Sequence, residues 1–131
     1  MDVLCFGELL WDLYEAEQRG DKEPIARQFR RELGGTAANV AVALARLGIK
    51  AGVAGAVGAD KLGAALDAQL SSDGVDTSNV VEVSGASTSV VFVMTSATGE
   101  PTFTPHRGAD LQLTEKDITP AMGKAKVSVI S

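Results

Sequence analysis

The sequence predicts an α/β layered domain built on a parallel sheet. Three observations carry this. Short apolar runs alternate with stretches of helical period, in the order strand, helix, strand, helix. The helical stretches are Ala- and Leu-rich and end at glycine. The connections between them are short, as βα units require.

The elements follow in order. Val3-Leu4-Cys5-Phe6-Gly7 is a short buried-strand candidate. Residues 8–14 are mixed in character. Residues 15–32 are densely charged, with Glu15, Glu17, Arg19, Asp21, Lys22, Glu23, Arg27, Arg30, Arg31 and Glu32, and are punctuated by Gly20 and Pro24. They predict an exposed excursion, a loose hairpin rather than core. Thr36 to Leu47 predicts a helix, with Val40, Leu44 and Leu47 along one face and Gly48 to end it. Lys50 to Val57 is a small-residue strand. Asp60 to Leu70 is a second helix, with Leu62, Leu66 and Leu70 on one face and Gly74 just beyond.

Ser89 to Thr95 is a β-branched strand, and Thr102-Phe103-Thr104 pairs with it across Ala97-Thr98-Gly99-Glu100. Thr114-Glu115-Lys116-Asp117 opens a short helix with a capping-box-like start. Lys126 to Ser131 reads as a core strand. The sequence stops in it with no closing element, which suggests a portion of a longer fold. No repeat is visible.

Composition narrows the function classes. At 131 residues and 45% hydrophobic, the chain has one-domain length and enough apolar material for a core. No apolar run approaches the roughly 20 residues of a membrane-spanning helix. Met1-Asp2-Val3-Leu4-Cys5 is no basic leader, so a cytoplasmic protein is expected. Cys5 is the only cysteine, which rules out an internal disulfide and suits a buried small hydrophobe. With one His (His106) and one Cys a hundred residues apart, neither a zinc site nor a His-based triad is indicated. The net charge of −5 and few aromatics leave no nucleic-acid footprint. A phosphate ligand at a helix N-terminus remains compatible with that charge.

The chemistry-bearing stretch is Gly34-Gly35-Thr36-Ala37-Ala38-Asn39-Val40-Ala41, followed by Gly48 and Gly58. Two glycines let the backbone approach a partner closely. Asn39 then offers a donor and an acceptor near a helix start whose N–H groups lack intrahelical partners. Gly55-x-x-Gly58-x4-Gly63 lacks the G-x-G-x-x-G spacing of a dinucleotide loop, and no P-loop occurs.

This pattern resembles the first fingerprint of the ribokinase-like (PfkB) carbohydrate kinases. Gly34-Gly35, Asn39, Ala41, Gly48 and Gly58 match it throughout. Phe6-Gly7-Glu8 with Asp12, and Gly55 to Gly63, are similar to the family's flanking stretches. The likeness spans essentially the whole chain but only the N-terminal part of the family's length.

The resemblance implies a ribokinase-like layered sheet with flanking helices and a small β lid, formed by about residues 9–33 and 88–107. It implies that Asp12 accepts hydrogen bonds from sugar hydroxyls and that Gly34, Gly35 and Asn39 line the sugar site. Pro105-His106-Arg107-Gly108-Ala109-Asp110 resembles an Arg-Gly-Ala-Asp stretch of fructokinase-like members. Arg107 there is a candidate contact to a sugar oxygen or phosphate, or else a surface ion-pair partner.

The family's catalytic Gly-Ala-Gly-Asp motif is absent, and Gly108-Ala109-Asp110 lacks its second glycine. No catalytic residue is therefore assigned, and the chain alone is expected to be inactive. The expected parent is an ATP-dependent, Mg²⁺-assisted sugar kinase, fructokinase-like first, with the ATP pocket outside this chain and a homodimer formed through the lid. A non-catalytic sugar-binding module is the alternative.

Overall fold

A computed structural model describes residues 1–17 and 23–131, with the side chains of residues 119, 121 and 122 also outside the description. Arg19, Gly20, Asp21 and Lys22 of the charged excursion therefore lie outside the described residues.

Two four-stranded sheets organise the chain. The first is all parallel, in the order β5-β4-β1-β8, where β1 is Val3–Phe6, β4 Ala51–Gly58, β5 Asp76–Val83 and β8 Val127–Ile130. The second is mixed, in the order β3-β2-β6-β7, with β2 Leu10–Glu15, β3 Phe29–Gly34, β6 Ser89–Thr95 and β7 Pro101–His106. In it β2 runs antiparallel to β3 and parallel to β6, and β7 returns antiparallel to β6.

Strand alternation divides the core between the two faces of the parallel sheet. Cys5, Val53 and Val57 point to one face and meet α1 (Thr36–Arg46) and α2 (Lys61–Ser72) through Ala37, Ala38, Ala41, Leu66 and Leu70. Leu4, Phe6 and Ala54 point to the other and meet Met1, Ile118 and Ala125, with Ile118 on α3 (Glu115–Met122). β4, covered on both faces, is buried along its whole length. Burial pushes the Cys5 thiol pKa up, which keeps it an inert hydrophobe.

The helix faces differ in part from the periodic reading. On α2, Leu66 and Leu70 are fully buried as expected. On α1, the buried residues are Ala37, Ala38, Ala41 and Val42, while Leu47 is 77% exposed. Alanines let the helix axis sit close to the sheet, and the larger Val40 and Leu44 fill the flank of that contact.

Two strands depart from expectation as well. β8 forms where Lys126–Ser131 is read as a core strand, but among the described residues it pairs only with β1, and Val127 and Ile130 are 55% and 74% exposed. β5 lies in a stretch to which the sequence reading assigns no element. Its Asp76-Thr77-Ser78-Asn79 half has the polarity of a loop, and an edge position tolerates that. The excursion after β2 does return as a paired strand, with Leu10–Glu15 registered against Phe29–Gly34.

Buried polar contacts attach the second sheet to the core. The Trp11 indole N–H donates to the Leu62 carbonyl of α2 at 2.8 Å. Asp60 caps α2 by accepting from the Gly63 N–H at 2.8 Å and also holds Thr88, just before β6, through its N–H at 2.9 Å and its hydroxyl at 2.6 Å. The Gly58 N–H donates to the Thr88 hydroxyl at 2.9 Å. A Cβ on Gly58 would stand 2.4 Å from the Ala86 carbonyl oxygen, so this fingerprint glycine is there for packing. The α3 start behaves as its sequence predicts: the Asp117 carboxylate reaches back to the Thr114 N–H at 2.9 Å.

Candidate functional site

The site forms where β3 runs into α1. Gly34 is the last residue of β3 and is registered on Leu10 of β2, so it shares a sheet face with Asp12 two residues along. A Cβ built on Gly34 would stand 2.8 Å from both Cγ and Oδ2 of Asp12 and 2.5 Å from Leu10 Cδ1. The missing side chain is what makes room for the carboxylate.

Gly35 caps the helix with φ 93° and ψ 136°, a conformation open in practice only to glycine, and contributes no side-chain cap. A Cβ there would lie 2.2 Å from the Glu8 carbonyl oxygen. The pair thus presses the α1 entry against the Phe6-Gly7-Glu8 turn and brings Asp12 to the same place. The first helical turn of α1, whose leading N–H groups have no intrahelical acceptor, begins beside them.

Electrostatics mark Asp12. Burial raises its pKa above the ordinary Asp value, and the neighbouring Glu8 charge raises it further. A half-buried carboxylate under such pressure is a strong acceptor for hydroxyl donors.

Arg107 enters from the end of β7. Its guanidinium lies 3.2 Å from a Glu8 carboxylate oxygen, and its Nε donates to Asp110 Oδ2 at 2.7 Å. Hydrogen bonding to Asp110 raises the Arg107 pKa, so the cation is permanent. Burial pushes the Asp110 pKa up, but the bonds from Arg107 and Ser89 outweigh it and leave it below the usual carboxylate value.

Asp12, Gly34, Gly35 and Arg107 therefore gather around Glu8. Asn39 does not join them by any hydrogen bond among the described residues. It sits in the first turn of α1, exposed, with its backbone N–H bonded to the Gly35 carbonyl at 3.1 Å. Glu8 and Asp110 are the groups that the sequence reading left without a role. Glu8 closes the Phe6-Gly7-Glu8 opening, and the Arg107–Asp110 spacing of three is the sequence signal of a pair.

Among the described residues, no cluster of three or more His, Cys, Asp or Glu is arranged for a metal ion. No helix among them is long and apolar enough to cross a membrane.

Residues 1–131 match the profile of the pfkB family carbohydrate kinases. The chain belongs to this family. Fructokinase-1 of Oryza sativa subsp. japonica is 40% identical over 118 residues, which cover 88% of this chain and 36% of the rice protein. The fructokinase structure from Halothermothrix orenii superposes with a TM-score of 0.84 at 32% identity, over 99% of this chain and 46% of the other. The Xylella fastidiosa fructokinase structure with bound ATP superposes with a TM-score of 0.80 at 36% identity, over 95% and 39%. The pfkB chain thus spans between about a third and a half of these relatives. Its layered α/β architecture is that of ribokinase-like kinases.

Proposed function

We propose that this chain is the sugar-recognising part of an ATP-dependent sugar kinase, with a fructose-like ketose as the first candidate substrate. The observation that carries the reading is the fit of the Asp12 carboxylate into the space left by Gly34, at the mouth of α1. A carboxylate has two acceptor oxygens and matches the vicinal hydroxyls of a sugar. Fructokinase relatives favour fructose among the sugars, and an ATP-bound relative favours ATP as phosphoryl donor.

Each residue has a role in this reading. Asp12 accepts from two hydroxyls. Gly34 and Gly35 let the sugar approach the backbone, and the α1 entry offers N–H donors to its oxygens. Asn39 supplies a mixed donor and acceptor from the first helical turn. Arg107 donates to a sugar oxygen or to the phosphoryl group as it arrives. The reaction forms a bond between a sugar oxygen and the γ-phosphorus, breaks the bond to ADP, and releases the hydroxyl proton. Positioning and charge stabilisation dominate such transfers, with Mg²⁺ as counter-charge to the phosphates. The base and the nucleotide pocket belong to the rest of the parent protein, so this chain alone is inactive.

The second sheet, in this reading, is the lid over the sugar and the contact of a homodimer. Its outer strand β7 is exposed throughout, and Phe103 is 66% exposed.

The test is an assay of the full-length protein with ATP and a panel of sugars, sugar acids and nucleosides. Fructose is expected to give the highest kcat/KM. Absence of phosphorylation of every compound would refute the kinase reading. Light scattering on Phe103→Glu should show monomer where the native protein shows dimer, and an unchanged mass would remove the lid from the interface.

A further inference from the structure

We propose that Asp110 is a positioning residue: it fixes the Arg107 guanidinium at the sugar site, and Ser89 fixes Asp110 in turn. The proposal rests on the reading of Arg107 as a contact to the substrate.

An arginine side chain is long and loses considerable rotamer freedom when it is held in one place. Arg107 is about one-third exposed at its side chain, and Asp110 beneath it is fully buried. One Asp110 oxygen takes the guanidinium through Nε at 2.7 Å and through Nη2. The other takes the Ser89 hydroxyl. Ser89 is itself fully buried and accepts from the Gly108 N–H at 2.8 Å. The loop is fastened a second time by the Ala109 N–H, which donates to the Ser87 carbonyl at 2.7 Å.

This chain of contacts ends on β6, the strand beside the one that carries Asp12. Ser89 opens β6 and is registered on Leu10 of β2, while Asp12 is registered on Val91 of β6. Ser89 and Asp12 therefore project to the same face of the second sheet, one strand apart. The position of Arg107 is referenced to the sheet that carries Asp12, and the same Nη2 that Asp110 holds lies 3.2 Å from Glu8, whose charge acts on the Asp12 carboxylate.

A purely structural ion pair would explain less. Buried pairs give little net stability over apolar replacements of the same volume. Asp110 instead joins one buried carboxylate to a cation that stays partly exposed and lies 3.2 Å from Glu8.

A double-mutant cycle on the full-length protein tests this. Asp110→Asn keeps the shape but removes the negative charge and one of the two acceptor oxygens, and should lower kcat/KM for the preferred sugar by about tenfold, mainly through KM. Arg107→Ala should lower it at least as much. Asp110→Asn made in the Arg107→Ala background should then change kcat/KM no further, and Ser89→Ala should behave as a milder Asp110→Asn. Thermal melting of each variant reports folding separately, and if Asp110→Asn does not fold, Ser89→Ala carries the cycle. The proposal is overturned if Asp110→Asn (or Ser89→Ala) leaves kcat/KM unchanged, or costs the same factor with and without Arg107. Unchanged kinetics in Arg107→Ala would overturn the reading of Arg107 itself, whatever Asp110 does.

Discussion

Adding one methyl group at Gly34 should impair sugar binding through Asp12. The Cβ of a Gly34→Ala variant falls 2.5 Å from Leu10 Cδ1 and 2.8 Å from the Asp12 carboxylate. Ordinary carbon contacts lie at about 3.5–4.0 Å, so the intrusion is about an ångström. Leu10 is only 4% exposed and has no solvent to swing into. The half-buried Asp12 side chain must give way. Overpacking of this kind costs about 1–3 kcal/mol of stability. A displaced carboxylate also loses charge-assisted hydrogen bonds to the sugar, worth about 1.5–3 kcal/mol, or roughly 10- to 100-fold in affinity.

Initial rates on the full-length protein with ATP and fructose, alongside urea unfolding, separate the two effects. KM should rise at least about tenfold with Gly34→Ala. Gly34→Ala added to Asp12→Ala should raise KM no further, because the methyl acts through the carboxylate. A folded Gly34→Ala protein with unchanged KM would refute this account of the glycine, as would a full additional loss on top of Asp12→Ala.

Three further outcomes follow from the same contacts. Asp60→Ala removes the α2 cap, worth about 1 kcal/mol, and leaves the Thr88 N–H and hydroxyl without their acceptor at a position 4% exposed. A total loss of about 2–4 kcal/mol is expected by urea unfolding, with Asp60→Asn intermediate, and equal midpoints for all three proteins would contradict it. Burial pushes the Asp60 and Asp110 pKa values up, but their hydrogen bonds outweigh it and leave both below the ordinary carboxylate value. Their stabilisation is present above that value, about 3.9, and is lost as pH falls through the depressed folded values. Asp60→Asn should therefore flatten the acid limb of the stability profile, and a limb as steep as the native one would remove Asp60 from it. Asp12 has the opposite sign: burial first, then Glu8, raises its pKa, so ionisation works against the fold at neutral pH and is relieved as pH falls. Asp12→Asn should leave the urea midpoint at pH 7 equal or higher while raising KM, and a clearly lowered midpoint would show that the carboxylate supports the fold.

Legibility in the sequence followed the physics of each segment. α2 announced itself, because Asp60, the leucines at 62, 66 and 70, and Gly74 all pointed to one helix. The tight turn from β3 into α1 was legible because only glycine suits Gly35, at φ 93°. β5 was not legible, since an edge strand can be polar on both faces and still pair. The buried face of α1 was misread for a related reason. Periodicity weighs side-chain size, whereas this interface selects small residues that let helix and sheet approach.

By itself the sequence determined the α/β alternation, the parallel core and the glycine pair. These depend on local period, backbone freedom and residue chemistry, all of which are properties of short stretches. Only the tertiary structure decided that Gly34 makes room for Asp12, that the Ala86 carbonyl leaves no room for a Cβ at Gly58, and that Arg107 stands between Glu8 and Asp110. Apart from the Arg107–Asp110 contact, those relations join residues 22 to 99 positions apart, as in Asp12–Gly34 and Glu8–Arg107. Strand register and burial create them, and neither is encoded in any one segment.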